Sequence, residues 1–541
     1  MTQPDDLKTD ERLVWSTGRG TDVWALFCAC AAGDLDAVRK LLDRDPSLVR
    51  CQYEYRKPLY FAVRENRLEV AAYLLERDPD PTGLEVYHSL VEIAQERGYE
   101  KMEKLLERGL STQFNASERG ERVAEAIRNH DIAKMRALLD ESPELLYAGD
   151  RRGNQPIHWA AMTRQPEVID ELVQRGADLN AKRTDGARPI QLTNGDYHFR
   201  GWRDVPKDHP VTPRMVLDHL RACGAECDLC TAAHIGDLER IRELLDADPS
   251  LANRPGDYES YYACSGTPIR NAAAAGHLEI VKMLLEHGAD PNLPEEGIAP
   301  QGHALYSAAA NGHHEVVKLL LAHGAHPNVA VESSADTLSR VIDNGDKVLV
   351  ELLCSHGAAR SVDLLAAHND LQTAAAVFAA NPSLADDPEA LANAASAGHE
   401  GFVRLMLRYH PDLPKRVRFP FWSMGAKTRE LNELLFEHGM NANGDHWLRI
   451  TPLHVFAQKG EIEKAGWFLD HGANLEARDD DICSRPLGWA ARFGQKEMVE
   501  FLLARGAKVS DPGDPPWATP IAQAKRKGHG EVVEVLERQP R

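Results

Sequence analysis

The sequence of 541 residues is poor in aromatic residues and lacks long apolar runs. Phe, Trp and Tyr together make up 6% of the chain. No apolar stretch approaches the roughly 18 to 20 residues that a membrane-spanning helix needs. The first residues, Met1 to Asp6, have neither the basic region nor the apolar core of a signal peptide. We therefore expect a cytoplasmic protein.

Positive charge is also scarce. The chain has 63 Lys and Arg against 83 Asp and Glu, a formal net charge of -20 at pH 7. This balance repels phosphate backbones and anionic lipids, so we expect neither nucleic acid nor a membrane surface as a partner. The nine cysteines are odd in number and spread over a long chain, which argues against a disulfide framework.

Sequence motifs typical of catalytic sites are missing as well. The chain has no Gly-x-Ser-x-Gly elbow, no His-Glu-x-x-His helix and no complete phosphate-binding glycine loop. Cys223, Cys227 and Cys230 have the spacing of an iron–sulfur motif, but each falls at an ordinary position of the repeat described next. The sequence therefore predicts no cofactor, no metal and no enzymatic activity.

A repeat with a period of 33 to 34 residues organises the chain. The segment Thr451-Pro452-Leu453-His454 is followed by Arg485-Pro486-Leu487-Gly488 and by Thr519-Pro520-Ile521-Ala522. Many units end in Gly-Ala, as at 288–289 and 472–473. Proline suits the first position of a helix, Thr caps it, and glycine ends it. The pattern predicts pairs of short helices that stack around one continuous core.

These motifs closely resemble the ankyrin repeat, over roughly residues 22–541. The resemblance implies an all-α solenoid of about 15 to 16 helix-turn-helix repeats, with β-hairpin-like fingers between them, wound as a curved superhelix. The sequence of the repeats is similar to that of large bacterial ankyrin proteins. By the same resemblance, the fingers and first helices form a concave face that binds protein partners.

One unit is longer than the others. A regular unit spans 20 positions from its opening proline to its closing glycine, whereas Pro189 to Gly224 spans 35. We therefore place an inserted loop at about 194–212. The predicted organisation is a polar leader at 1–21, repeats at 22–186, the repeat with the insertion at 187–228, central repeats at 229–410, a degenerate repeat at 411–450, and C-terminal repeats with a cap at 451–541.

Aromatic and arginine side chains at irregular or concave positions are the candidates for partner binding, because Trp, Tyr and Arg are frequent interface anchors. They lie in the insertion, in the next finger and directly after the opening motif: Tyr197, Arg200, Trp202, Arg203, Tyr258, Tyr261, Phe61, Trp159 and Trp489. Two alternatives stay open. The insertion could pack on itself, and the aromatic residues after the opening motif could pack against neighbouring loops.

The first functional hypothesis is a non-enzymatic scaffold that binds a protein of unknown identity on its concave face, with a basic patch favouring association. The alternative is a small-molecule or enzymatic pocket formed by the insertion and the fingers at 254–262 and 294–303. Convergence of acid–base and anion-binding side chains would favour that pocket: Asp196, His198, Arg200, Arg203, Asp204 and His209. The oligomeric state is left open.

Overall fold

Short helices that follow one another in pairs make up most of the protein. The structure is a computed structural model that describes residues 1–541 apart from 79–88, 151, 197, 257–262, 333–334, 420–422, 445 and 540–541, and apart from the side chains of Gln113 and Trp202. The chain forms two compact units, one of Asp6–Ala359 and one of Arg360–Arg541 together with Met1–Asp5. The finer division proposed above stays a prediction.

The unit of residues 6–359 contains successive helix pairs and one irregular repeat. Its α-helices are Gly20–Ala32, Leu35–Arg44, Pro58–Arg64, Leu68–Leu75, Leu90–Arg97, Glu100–Phe114, Glu118–Arg128, Ile132–Glu141, Pro156–Met162, Pro166–Gln174, Gly201–Asp204, Pro213–Ala222, Leu229–Ile235, Leu238–Ala247, Pro268–Ala275, Leu278–Glu286, Ala304–Ala310, His314–Ala322, Thr337–Asp343 and Lys347–Ser355. Two short antiparallel strands, Ala330–Val331 and Ala335–Asp336, form one finger.

The second unit continues the same pattern. Its α-helices are Val362–Ala367, Leu371–Ala380, Pro388–Ala397, Glu400–Tyr409, Arg429–Glu437, Pro452–Lys459, Ile462–Asp470, Pro486–Arg492, Lys496–Ala504, Pro520–Lys527 and Gly530–Glu537. Residues 1–5 belong to this unit, where the Met1 amino group lies 2.8 Å from a carboxylate oxygen of Asp480. The prediction of an all-α repeat solenoid is confirmed.

The two helices of a repeat differ in how they are buried. In the pair at 156–174, every residue of helix Pro156–Met162 is buried, whereas helix Pro166–Gln174 buries only Val168, Ile169 and Leu172 among its nine residues. First helices therefore lie inside the stack, and second helices present an apolar stripe to it and a polar face to water. Successive first helices pack against one another, as Leu229–Ile235 does against Pro268–Ala275 and Pro268–Ala275 against Ala304–Ala310.

The ends of the helices follow from the motif. Thr267 accepts a hydrogen bond from the backbone N–H of Arg270, and Pro268 occupies the first helical position. The helix ends at Gly276, whose φ of 75° favours glycine. A Cβ atom at Gly276 would also lie 2.6 Å from the imidazole of His313, which belongs to the next repeat. This close approach explains why glycine and histidine recur together.

Proline after a second helix begins a new turn. Where the sequence has Pro-Ser-Leu or Pro-Glu-Leu, a short 3-10 helix follows the α-helix, often with a preceding aspartate as its cap. In the described residues, 3-10 helices occur at Asp5–Lys8, Pro46–Arg50, Pro143–Tyr147, Pro189–Leu192, Pro249–Asn253, Pro382–Ala385, Leu413–Arg416 and Pro516–Ala518. The one at Pro189–Leu192 replaces a regular first helix in the repeat that contains the insertion.

Asparagines join successive fingers. Asn292 donates from Nδ2 to the carbonyl oxygen of Gly324 at 2.9 Å, and its Oδ1 accepts from the backbone N–H of His326 at 2.8 Å. Asn253 and Asn328 make the same pair of bonds to the repeats that follow them. These bonds satisfy the carbonyl oxygen of the closing glycine and the backbone N–H two residues after it, and they fix the spacing of the fingers.

None of the described helices combines the length and apolar composition of a bilayer crossing.

Candidate interaction surface

The three aromatic residues that follow the opening motif are buried. Phe61 and Trp489 have no exposed surface, and Trp159 is 4% exposed. The indole N–H of Trp159 donates to Asp150 Oδ2 at 2.8 Å, and that of Trp489 donates to Asp479 Oδ2 at 2.9 Å. Our prediction of exposed aromatic anchors is therefore wrong for these residues, because each indole turns towards the carboxylate of the finger before it.

Other residue types at this position are also engaged inside the protein. The ring of Phe61 packs against that of Phe27, with 4.5 Å between their centroids. Asn271 accepts from the backbone N–H of Cys264 at 2.8 Å and donates to the carbonyl oxygen of Ser265 at 2.6 Å. At Trp159, Asn271 and Trp489 this position thus bonds the finger before it, whereas Phe61 packs against the helix Gly20–Ala32. The alternative that these side chains pack against neighbouring loops fits the structure.

The insertion is held by a buried ion pair. Asp196 Oδ2 accepts from Arg183 at 2.6 Å and from Arg152 at 3.0 Å, and the side chains of Asp196 and Arg183 are 1% and 4% exposed. Burial raises the pKa of Asp196, but the two arginines outweigh it and hold that pKa below the ordinary value. The ring of Phe199 meets Trp159 edge to face at 5.5 Å. The insertion therefore packs on the preceding repeat.

The charged residues further along the insertion lie at the surface. Arg203 is exposed, donates to both carboxylate oxygens of Asp204 at 2.8 Å, and donates to the carbonyl oxygen of His198 at 2.9 Å. The backbone N–H of Arg200 also donates to Asp204, at 2.7 Å. Tyr197, Tyr258 and Tyr261, and the side chain of Trp202, lie outside the described residues.

The structure brings part of the six side chains of the pocket hypothesis near one another. Asp196 is buried against Arg152 and Arg183, and burial together with Arg152, Arg183 and Arg200 outweighs the charge of Asp196 and lowers the pKa of His198 to about 4. Arg203 and Asp204 pair with each other at the surface, and the imidazole of His209 lies 3.2 Å from the backbone of Val211. Asp196, His198 and Arg200 are thus within electrostatic reach of one another, and the pocket hypothesis stays a prediction.

The finger at 294–303 is built around a buried glutamate. Glu295 Oε1 accepts from the backbone N–H and the hydroxyl of Thr267, at 3.0 and 3.2 Å, and its Oε2 lies 3.1 Å from His303 Nδ1. Burial alone would raise the pKa of Glu295, but the hydrogen bond with His303 and the charge of Arg270 hold it below the ordinary value. Glu295 thus joins this finger to Thr267, the N-cap residue of helix Pro268–Ala275.

The first finger, at 51–57, and Arg50 directly before it contact fingers far along the same unit. The hydroxyl of Tyr55 donates to Glu332 Oε1 at 2.7 Å, and a guanidinium nitrogen of Arg50 lies 3.9 Å from Glu296 Oε2. The intervening repeats must therefore bend until these fingers meet. The sequence did not predict this cross-contact, because no motif marks a pairing between residues 277 positions apart.

A cluster of three potential metal ligands escaped the sequence analysis. Asp170, His219 and Cys223 place one ligand atom each within 4.8 Å of one another. We had considered Cys223 together with Cys227 and Cys230, which follow it along the chain, and had predicted no metal. The signal that could have found the cluster is the i, i+4 spacing of His219 and Cys223 on one helix face.

The comparisons with known proteins agree with the repeat geometry. Residues 11–83, 229–331 and 423–513 match a model described as "Ankyrin repeats (3 copies)", and residues 152–184 match one described as "Ankyrin repeat". Together these segments make up more than half of the sequence. The chain belongs to the ankyrin repeat family.

Several ankyrin relatives are named as ubiquitin ligases. The chain is 29% identical over 200 residues to "Probable E3 ubiquitin-protein ligase XBOS32" of Oryza sativa subsp. japonica. The aligned segment makes up 32% of this chain and 39% of the relative. The chain is likewise 29% identical over 197 residues to "E3 ubiquitin-protein ligase XBAT32" of Arabidopsis thaliana, covering 32% and 38%. The chain thus spans about two fifths of the length of these relatives.

A third relative comes from mammals. The chain is 32% identical over 92 residues to "Ankyrin repeat and SOCS box protein 5" of Bos taurus, which covers 16% of this chain and 24% of the relative. These plant and mammalian relatives contradict the bacterial type that we inferred from the wording of the repeats. The ubiquitin ligases among them also overturn the prediction that the protein is not an enzyme, because that prediction relied only on missing catalytic motifs. The ankyrin repeats themselves support a role in protein–protein interaction.

Proposed function

We propose that this chain is a scaffold that binds a protein partner along the fingers of its ankyrin repeats. The observation that supports the proposal most is the way the fingers are held. Trp159, Asn271 and Trp489 each bond a finger from the inside, so the finger backbones are fixed before any partner arrives. A surface that is already ordered loses little conformational entropy on binding, which favours affinity.

The charge of the chain indicates the kind of partner. With a net charge of -20, the protein attracts a basic surface at long range and accelerates its association. We propose a partner with a basic patch, and association that slows as salt is added. We also place this function in the cytoplasm, in line with nine cysteines of which none forms a disulfide, a state that a reducing compartment maintains.

The insertion is the part of this surface that we test first. The double variant Trp202→Ala/Arg203→Ala removes two predicted anchors, and Arg242→Ala removes an exposed arginine from a second helix as a matched control. Immobilised wild-type protein is used to capture partners, which are identified by mass spectrometry and then purified for calorimetric titration. We expect the double variant to lose affinity for the purified partner and the control to retain it.

Two results would each contradict one part of the proposal. If the double variant folds, as judged by circular dichroism, and binds the purified partner as tightly as the wild type, the insertion is not the recognition element. If association is as fast in 0.5 M salt as at low ionic strength, within about a factor of two, the partner does not use a basic patch.

The names of the relatives favour a second candidate function, recognition within ubiquitin transfer. In this case the partner held by the fingers would be a protein that receives ubiquitin. A reconstituted reaction containing ubiquitin, activating enzyme, a panel of conjugating enzymes and the captured partner tests this directly. Ubiquitin transfer to the partner that requires this chain supports the second candidate, and its absence with every conjugating enzyme removes it while leaving the scaffold proposal intact.

A further inference from the structure

Three side chains from two second helices meet on the outer side of two adjacent repeats, the second of which contains the insertion. Asp170 lies in helix Pro166–Gln174, His219 lies in helix Pro213–Ala222, and Cys223 caps the C-terminus of the latter helix. His219 Nε2 lies 2.8 Å from Asp170 Oδ1, and the thiol of Cys223 lies 3.6 Å from the same oxygen. One nitrogen, one oxygen and one sulfur ligand therefore lie within 4.8 Å of one another.

We propose that Asp170, His219 and Cys223 form a zinc site. Imidazole, thiolate and carboxylate are the ligands that Zn²⁺ uses in proteins. Ideal tetrahedral coordination would separate the nitrogen and oxygen by about 3.3 Å and the oxygen and sulfur by about 3.5 Å. The second distance is already met, and the first requires the imidazole and carboxylate to part by about 0.5 Å when their hydrogen bond is exchanged for the metal.

The surroundings of the cluster favour a cation. Neighbouring arginines are committed to other carboxylates: Arg136 and Arg175 both bond Glu171, and Arg221 bonds Asp237. In the described part of the chain, Asp170 pairs with no Lys or Arg. The Asp170 carboxylate therefore contacts His219, Cys223 and solvent, and a divalent cation would compensate its negative charge.

The cluster is accessible from solvent. The side chains of Asp170 and His219 are 48% and 29% exposed, and Cys223 is half-buried. On coordination, the thiol of Cys223 releases its proton to solvent and the sulfur binds as thiolate. Three protein ligands leave a fourth position for water, or for a ligand atom from a bound molecule. The metal would join the second helix of the repeat that contains the insertion to the second helix of the repeat before it.

The test is a metal titration of the full chain after treatment with a chelator. Competition with a chromophoric chelator measures the affinity for Zn²⁺, and Co²⁺ in place of Zn²⁺ reports a thiolate ligand through its charge-transfer absorption. We expect one tight zinc site per chain, a thiolate band with Co²⁺, and a rise in the melting temperature when Zn²⁺ is added.

Three variants remove one ligand each: Asp170→Asn, His219→Ala and Cys223→Ala. We expect each to weaken zinc binding by more than the roughly 10- to 100-fold that the loss of an outer-shell partner costs. Asp170→Asn retains a hydrogen-bond acceptor for His219, so it separates a metal site from a simple bond between helices. Circular dichroism without metal confirms that each variant folds.

Two controls complete the design. Cys227→Ala removes the next cysteine along the chain, and His287→Ala removes an exposed histidine at the end of another second helix. Both should bind zinc like the wild type. The proposal is overturned if the three ligand variants keep wild-type affinity, if the wild type binds no zinc tightly, or if Cys227→Ala loses binding while His219→Ala does not. The last result would assign the metal to the linear cysteine motif.

Discussion

At the scale of single residues, the repeat uses its most variable motif position as an internal support. Trp159 and Trp489 illustrate this, because each indole N–H is satisfied by a carboxylate that lies 9 or 10 residues earlier in the chain. Burial and the neighbouring Asp481 raise the pKa of Asp479 to about 6. The indole bond is therefore made inside the protein, where an unsatisfied partner is costly.

Removing one indole N–H tests this support. We expect Trp489→Phe to lower the free energy of unfolding by about 1 to 3 kcal/mol, because Asp479 is left buried without one of its donors. Trp467→Phe, at a half-buried tryptophan of the preceding repeat, should cost less than about 1 kcal/mol. Urea unfolding monitored by circular dichroism measures both. Equal losses in the two variants would contradict the role assigned to the indole bond.

Buried histidines of the opening motif make the fold sensitive to acid. His454 accepts from the backbone N–H of Thr451 at 3.1 Å, and its Nε2 lies 3.3 Å from the carbonyl oxygen of Ser484. Burial lowers the pKa of His454 to about 4, against 6.5 for an ordinary histidine. Between these values the unfolded chain binds the proton more readily, so stability falls as the pH falls.

We expect this single histidine to remove about 3 kcal/mol of stability between pH 6.5 and pH 4. The measurement is the free energy of unfolding across that range for the wild type and for His454→Gln. The raised pKa of Asp479 acts in the opposite direction in the same pH range, so the difference between the two proteins isolates the histidine. Parallel pH profiles would show that His454 is not the acid-sensitive group.

The sequence gives the identity of these residues but not their environment. The opening motif predicts where Trp159 and Trp489 lie in a repeat, and by resemblance that place faces the concave side. Whether the ring is exposed depends on the finger before it, where Asp150 and Asp479 supply the acceptor. An aspartate 9 or 10 residues before a tryptophan is the signal that would have predicted burial.

At the scale of elements, the insertion packs against the preceding repeat and does not project as a free loop. Its length followed from the spacing of Pro189 and Gly224, because the repeat fixes that spacing elsewhere. Its packing could not be predicted, because the partners of Asp196 are Arg152 and Arg183 in earlier fingers. No local pattern connects these residues.

Two aspartates of the insertion provide a matched comparison. Asp196→Asn removes the buried carboxylate that Arg183 and Arg152 both bond, so we expect a loss of about 3 kcal/mol in the free energy of unfolding. Asp204→Asn breaks an exposed pair with Arg203 and should cost less than about 1 kcal/mol. Chemical denaturation measures both. A larger loss for Asp204→Asn would contradict the buried anchor.

At the scale of the whole molecule, the repeat explains why the fold could be predicted. Each repeat packs mainly on its neighbours, so a motif that specifies one contact specifies many. The contact of Met1 with Asp480 is one exception, and the cross-contact of the first finger is another. It joins Tyr55 to Glu332 and Arg50 to Glu296 across most of the unit of residues 6–359, and it depends on the accumulated curvature of every repeat between them.

A contact between residues so distant forms late in folding, because the intervening repeats must stack first. We therefore expect the double variant Arg50→Ala/Tyr55→Phe to unfold up to about 5-fold faster than the wild type, with its refolding rate unchanged. The control is Tyr147→Phe, which removes a hydroxyl bond to the neighbouring repeat at Gly176. Stopped-flow kinetics in urea measure both rates. A slower refolding of the double variant would place the contact in the folding nucleus.

The same cross-contact changes how the unit of residues 6–359 responds to force. A solenoid whose repeats touch only their neighbours stretches as a spring, with every interface sharing the load. Here a pull on the two ends would load the bond between Tyr55 and Glu332 first, because it provides the shortest path through the unit. Both side chains are near the surface, so this bond is weak and would release before any repeat unstacks. This unit would extend little under small forces and would extend readily only after the bond between Tyr55 and Glu332 has broken.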